Sequence, residues 1–164
     1  MLLMLLTISC VNPFAPGVVD GLENSGGILT HQKSPEDALI NLKYAYTFQD
    51  SLVYSELLDT TYVFRTWDYE TSPPTPVEWN RDVELRITGK MFRYFTSIDL
   101  VWNKTTYSDS FMIDLKLRST IQKSFTLTFN GGIQIPVLTG EVRFIFEKKN
   151  DEKWCIISWE DLKI

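Results

Sequence analysis

The chain has 164 residues, 44% hydrophobic and 23% charged, a composition that suits one folded domain and excludes wholesale disorder. With 16 Lys and Arg against 21 Asp and Glu, its formal charge is -5; it lacks the basic footprint that phosphate-backbone binding needs, so nucleic acid is excluded as a partner. Its 2 Cys and 1 His exclude a disulfide scaffold and a zinc ribbon, and no phosphate loop or metal-spaced cluster occurs, so neither a cofactor nor a metal is expected.

Residues 1–8 read MLLMLLTI, an apolar run that is too short for a bilayer span of about 20 residues. It has the length of a signal-peptide apolar region. It ends in Leu6-Thr7-Ile8-Ser9-Cys10, which resembles a bacterial lipobox, although Thr7 stands where Leu is usual and no Lys or Arg precedes the run. The resemblance implies cleavage before Cys10 and a diacylglycerol on its thiol. The expected address is then the bacterial cell envelope, with the membrane as a partner through the lipid anchor. Val11 replaces the Asp of the inner-membrane retention signal, which leaves the periplasmic or outer-membrane face. Residues 11–33, punctuated by Pro13, Pro16, Gly17, Gly21, Gly26 and Gly27, read as a flexible tether. Its reach is roughly 25 Å. His31 sits at the end of that tether and is read as non-catalytic.

The folded domain is expected over residues 34–164. Ser34-Pro35-Glu36-Asp37 starts a helix: an N-cap hydroxyl, Pro at the first helical position, then acids at the positive helix end. Ala38, Leu39, Leu42, Ala45 and Tyr46 carry its apolar spacing to about residue 49. A second short helix is predicted over residues 52–58 and a strand over 60–67. Pro73, Pro74 and Pro76 make residues 68–76 a loop. The third helix is predicted over residues 78–96, with Trp79, Val83, Ile87, Met91 and Phe95 as its inward stripe and Gly89 off it. From Ile98 the period becomes two. Ile98, Leu100 and Trp102 form one inward set, and Phe111, Ile113, Leu115 and Leu117 a second on one half-buried strand. Phe125, Leu127 and Phe129 form the next, up to a turn at Asn130-Gly131-Gly132. Val142, Phe144 and Phe146 follow, then a last strand over residues 154–159. The expected class is α+β, with three helices packed on a curved antiparallel sheet.

This order resembles the cone-shaped NTF2-like superfold, which includes the SnoaL-like and ketosteroid-isomerase-like families. Ser34-Pro35-Glu36-Asp37-Ala38-Leu39, Trp79-Asn80-Arg81-Asp82 and the terminal Trp154-Cys155-Ile156-Ile157-Ser158-Trp159-Glu160-Asp161-Leu162 look like bacterial envelope lipoproteins of this group. The superfold hosts isomerases, dehydratases, binders and assembly domains, so it implies no single activity.

An enzyme of this type needs an acid or base inside the cone. No His follows His31, which excludes an Asp-His dyad. The carboxylate candidates are Asp68, Asp99, Asp114 and Glu141; Asp99 and Asp114 lie on the polar phase of alternating strands. Tyr62, Tyr69, Tyr94 and Tyr107 could offer hydroxyls, but read as margin residues with their hydroxyls in water. Cys155 reads as a small buried hydrophobe with no His to activate it. The candidate pocket is Arg65, Trp67, Tyr69, Trp79, Phe92, Trp102 and Trp159, with Tyr69 and Arg65 as its polar groups. The favoured function is non-catalytic binding of a small apolar ligand or an envelope protein. The rival is a ketosteroid-isomerase-like or SnoaL-like enzyme with a buried carboxylate and a Tyr; a carboxylate deep in an apolar cavity favours the enzyme. The superfold often dimerises through its outer sheet face. Lys116, Arg118, Arg143 and Glu147 charge that face here, so a homodimer stays an open expectation.

Overall fold

The computed structural model describes residues 29–131 and 136–163. The predicted signal peptide over residues 1–10, with Cys10, and residues 11–28 of the tether lie outside the described residues. Helix α1 spans Pro35–Phe48, and its predicted start is present: Ser34 Oγ accepts from the Asp37 backbone N–H at 3.0 Å. Its inward face is Ala38, Leu39, Leu42, Ala45 and Tyr46, the residues expected from their spacing. The domain begins before this cap. Asn41 Oδ1 accepts from the Thr30 N–H at 2.7 Å, and the Trp154 N–H donates to the Gln32 carbonyl at 2.9 Å. The last tether residues are thus strapped to the domain by side-chain and backbone bonds, which hydrophobic spacing does not report.

Helix α2, Ser51–Leu57, is capped by Asp50, and β1 follows at Leu58–Asp68. The predicted third helix starts later than expected. Glu78 and Trp79 belong to a strand, β2, Thr75–Asn80, paired antiparallel with β1. Pro76 is tolerated there because β2 is the outermost strand. Helix α3 is Arg81–Tyr94, with Asn80 as its N-cap. Its inward face is Glu84, Thr88, Gly89 and Phe92, so the predicted stripe is displaced by one position and Ile87 is 45% exposed. Hydrophobicity favours the wrong register because the buried face carries a carboxylate and a hydroxyl.

Strands β3 (Ser97–Ile113) and β4 (Lys116–Asn130) form a long hairpin. The single strand expected through residues 111–118 is instead the end of β3, a turn at Asp114 and Leu115, and the start of β4. Asp114 and Leu115 both take left-handed backbone, and Leu115 is 95% exposed. No Gly or Asn marks that turn, so the alternation runs straight through it. Beyond β4, Gly131 has φ +94° and lies so close to Thr96 that a Cβ would collide with it. Strands β5 (Val137–Lys148) and β6 (Trp154–Lys163) complete the sheet.

The six strands lie in the order β2-β1-β6-β5-β4-β3. The expected all-antiparallel sheet is in fact mixed. The last strand enters between β5 and the early strand β1, and runs parallel to β1 with Phe64 opposite Trp159. The helices cover one face, where Phe64, Leu100, Phe125, Leu127, Phe144 and Ile156 are buried. No described helix is long and apolar enough to cross a membrane.

The outer face is charged as expected, but Glu147 is not an exposed member of it. Its side chain is 4% exposed and ion-paired with Lys116 (3.0 Å), Arg118 (2.9 Å) and Lys149 (2.8 Å). Burial works to raise the Glu147 pKa; hydrogen bonds from Lys149, Lys116 and Arg118 outweigh it and hold the group at about 2. The ionised form is therefore favoured by folding. This stability is present above the ordinary value of 4.5 and is lost as pH falls towards about 2. Glu147→Gln is expected to lower unfolding free energy at neutral pH by about 1–3 kcal/mol. In urea unfolding, the gap to wild type should close on acidification.

Candidate functional site

A cavity of about 190 Å³ lies between α3 and the concave sheet face. Its walls are aromatic. Trp79 of β2 stacks on Phe64 of β1 with ring centroids 4.1 Å apart and 16° between planes. Trp102 of β3 and Trp159 of β6 both pack on Phe144, at 5.8 and 4.7 Å. Leu100, Leu127 and Phe129 close the sheet side, and Met91 adds to the α3 side. A wider groove of about 620 Å³ lies near the β3–β4 turn, but it is open and its Lys116, Glu147 and Lys149 are spent on one another.

Two carboxylates reach the cone cavity. Glu84, one turn before Thr88 on α3, is 6% exposed. It accepts hydrogen bonds from Tyr54 Oη (2.6 Å), Trp79 Nε1 (2.6 Å) and Thr88 Oγ1 (2.8 Å). It thereby ties α2, β2 and α3 together. The carboxylate of Asp161, near the end of β6, accepts from Trp159 Nε1 at 2.9 Å, its single side-chain hydrogen bond among the described residues. Burial, opposed by that indole N–H and reinforced by the charge of Glu84, lifts Asp161 from 3.8 to about 6.

A tyrosine cluster surrounds this pair. Tyr46, Tyr54 and Tyr62 are all buried, and burial with the charge of Glu84 raises their pKa values well above the ordinary 10. Tyr62, expected at the margin with its hydroxyl in water, is 1% exposed, and its hydroxyl has no partner among the described residues.

Of the seven predicted pocket residues, the fold brings Trp79, Trp102 and Trp159 together around the cavity. Phe92 is buried instead against Tyr46 and Tyr54. Arg65 faces outward and pairs with Glu78 at 2.8 Å. Trp67 and Tyr69 are 44% and 68% exposed beside the proline loop, so Tyr69 and Arg65 are not the polar groups of this cavity. None of the carboxylate candidates lines it. Asp99 and Asp114 are exposed, and Asp68 and Glu141 are half-buried elsewhere. Glu84 is masked in the sequence by the displaced stripe. Asp161 is legible there: it shares the phase of Trp159, two residues earlier, which reads as inward. Cys155 is half-buried, with its thiol pKa pushed up by burial. No group of His, Cys, Asp and Glu among the described residues could hold a metal ion.

No family model matches the chain, and no curated protein matches it. Solved structures do. A candidate scytalone dehydratase of Novosphingobium aromaticivorans superposes with a TM-score of 0.61 at 10% identity, over 79% of this chain and 80% of that one. A conserved protein of Planctomyces limnophilus gives 0.59 at 14%, over 79% and 94%. A nuclear transport factor 2 (NTF2-like) superfamily protein of Salmonella enterica gives 0.55 at 12%, over 77% and 86%. At these identities the likeness shows the fold: this is an α+β NTF2-like cone, three helices on a six-stranded mixed sheet.

Proposed function

We propose that the domain binds a small, largely apolar molecule in the cone cavity, with Asp161 as the polar anchor. The observation that carries this reading is the juxtaposition of aromatic walls, a cavity of about 190 Å³ and one carboxylate left largely unpartnered among the described residues. The apolar run ending at Ser9-Cys10 supports a lipid-anchored position in the cell envelope. Labelled palmitate should enter the wild type and not Cys10→Ala; equal labelling of both would end that part of the proposal.

Asp161 also favours a second reading, acid–base catalysis. A carboxyl group titrating at about 6 can take and return a proton near neutral pH. Glu84 would then act as a positioning residue, since its oxygens already serve Tyr54, Trp79 and Thr88.

Leu127→Trp, which fills the cavity from the sheet side, tests the binding reading. Small apolar compounds should raise the melting temperature of the wild type and leave that of the filled variant unchanged. Equal shifts in both would place the binding elsewhere. An absence of shift in the wild type across a broad compound set would count against the cavity as a ligand site.

A further inference from the structure

Resting on the reading that the cone holds a small molecule, we propose that its ligand is an organic cation, an ammonium group on a compact apolar body, with the ammonium seated against the Asp161 carboxylate among indole faces. Three observations point there. The charged side chains among the described residues of the lining are Glu84 and Asp161, both acids; no Lys, Arg or His accompanies them. An anionic ligand would meet like charge and no counter-charge.

The hydrogen-bond inventory has the same sign. The indole and threonine donors of the lining are already committed: Trp79 Nε1 and Thr88 Oγ1 to Glu84, Trp159 Nε1 to Asp161, and Trp102 Nε1 to the Leu39 carbonyl at 3.2 Å. The hydroxyl of Tyr46 completes the polar groups of the cavity. Beyond the Tyr46 hydroxyl, which can donate as well as accept, what the site offers is acceptor capacity, chiefly on Asp161. A ligand that complements it brings donors, and an ammonium brings three. Lastly, Trp79, Trp102, Trp159 and Phe64 line the same space, and aromatic faces attract cations, most strongly where water is excluded. At the rim, Ile87 and Leu138 are partly exposed and apolar, which suits the hydrocarbon end of such a molecule.

A neutral apolar ligand would fill the walls but leave Asp161 uncompensated in an apolar site. A cation pairs with it and favours its ionised form. Binding should therefore weaken as acid protonates Asp161 through about 6. The titratable groups whose charge bears on Asp161 include Glu84 of α3, while Tyr46 of α1 and Tyr62 of β1 share its field and stay neutral there.

The test compares three single-ring probes on the full chain: phenethylamine, phenethyl alcohol and phenylacetate, followed by tryptophan fluorescence at neutral pH. The amine should bind about tenfold or more tighter than the alcohol, since a charge-assisted hydrogen bond distinguishes them, and phenylacetate should bind weakest. Asp161→Asn should cut amine affinity by about tenfold to a hundredfold and alcohol affinity by clearly less, because the Asn oxygen still accepts from a hydroxyl but no longer offsets a positive charge. Equal affinity for amine and alcohol, or an amine affinity that survives Asp161→Asn, would overturn the cation inference while leaving a small-molecule site standing. Binding of none of the three would overturn both.

Discussion

Asp161→Asn is expected to make the protein more stable at neutral pH, by about 2–3 kcal/mol. Folding lifts this carboxyl group from 3.8 to about 6, chiefly by burying it, so the folded state favours the protonated form. The stability associated with this group is fully present below 3.8 and is lost as pH rises through about 6. Asn keeps the acceptor for Trp159 Nε1 and never ionises. Urea unfolding of wild type and variant should therefore coincide below about 3.8, diverge in favour of the variant between 3.8 and about 6, and stay apart by a constant gap above that. A variant less stable than wild type at neutral pH would mean that the ionised Asp161 gains interactions that more than offset its burial. A carboxylate retained at a cost in stability is the pattern expected of a group that serves a ligand rather than the fold.

Glu84 is expected to behave in the opposite way. It is more deeply buried than Asp161, and three donors from three elements converge on it. Glu84→Ala strands the fully buried Tyr54 hydroxyl, the Trp79 indole N–H and the Thr88 hydroxyl together. Each unsatisfied buried donor costs about 1–3 kcal/mol, so the loss should reach about 3–5 kcal/mol once partial rearrangement is allowed for. Glu84→Gln should be milder, because its oxygen can still accept from two of the three while its amide opposes the last. Chemical denaturation of the two variants gives both numbers. A loss from Glu84→Ala no larger than that from Glu84→Gln would remove Glu84 as the hub joining α2, β2 and α3.

The contrast between these acids explains how much of the site is legible in the sequence. The fold class is legible because its signals are local: the Ser34-Pro35 cap, the proline loop, and the period-two sets around Leu100, around Leu127 and Phe129, and around Phe144. The register of α3 is not legible. Its inward face sets Glu84 and Thr88 beside Phe92, and a count of apolar residues selects Val83-Ile87-Met91 instead. The hairpin turn at Asp114-Leu115 escapes notice because Leu is a poor left-handed turn former and no Gly or Asn accompanies it. The parallel pairing of β1 with β6 is set by the path of the whole chain, not by any local pattern.

The pocket shows the same division. Trp102 and Trp159 are identifiable from the aromatic phase of the strands that carry them, whereas Trp79 is reached through a helix stripe although it lies in β2. Trp67 and Tyr69 are suggested by proximity to a strand end that projects beyond the cavity into solvent, and Arg65 by its alternation with aromatics in β1, where it faces outward to Glu78. What distinguishes this site from a filled core is the pair of acids. Glu84 is hidden because two of its hydrogen-bond partners lie on other elements, one of them remote in sequence. Asp161 stands in the inward phase beside Trp159, where alternation alone places a carboxylate among aromatics.

The most direct test of the central claim, that Asp161 is the working group of a ligand cavity, is a carbon NMR titration of its side-chain carboxyl group, assigned by comparison with Asp161→Asn. The free protein should show a midpoint near 6, and saturating phenethylamine should lower it. A midpoint at the ordinary 3.8, unmoved by the amine, would contradict the account.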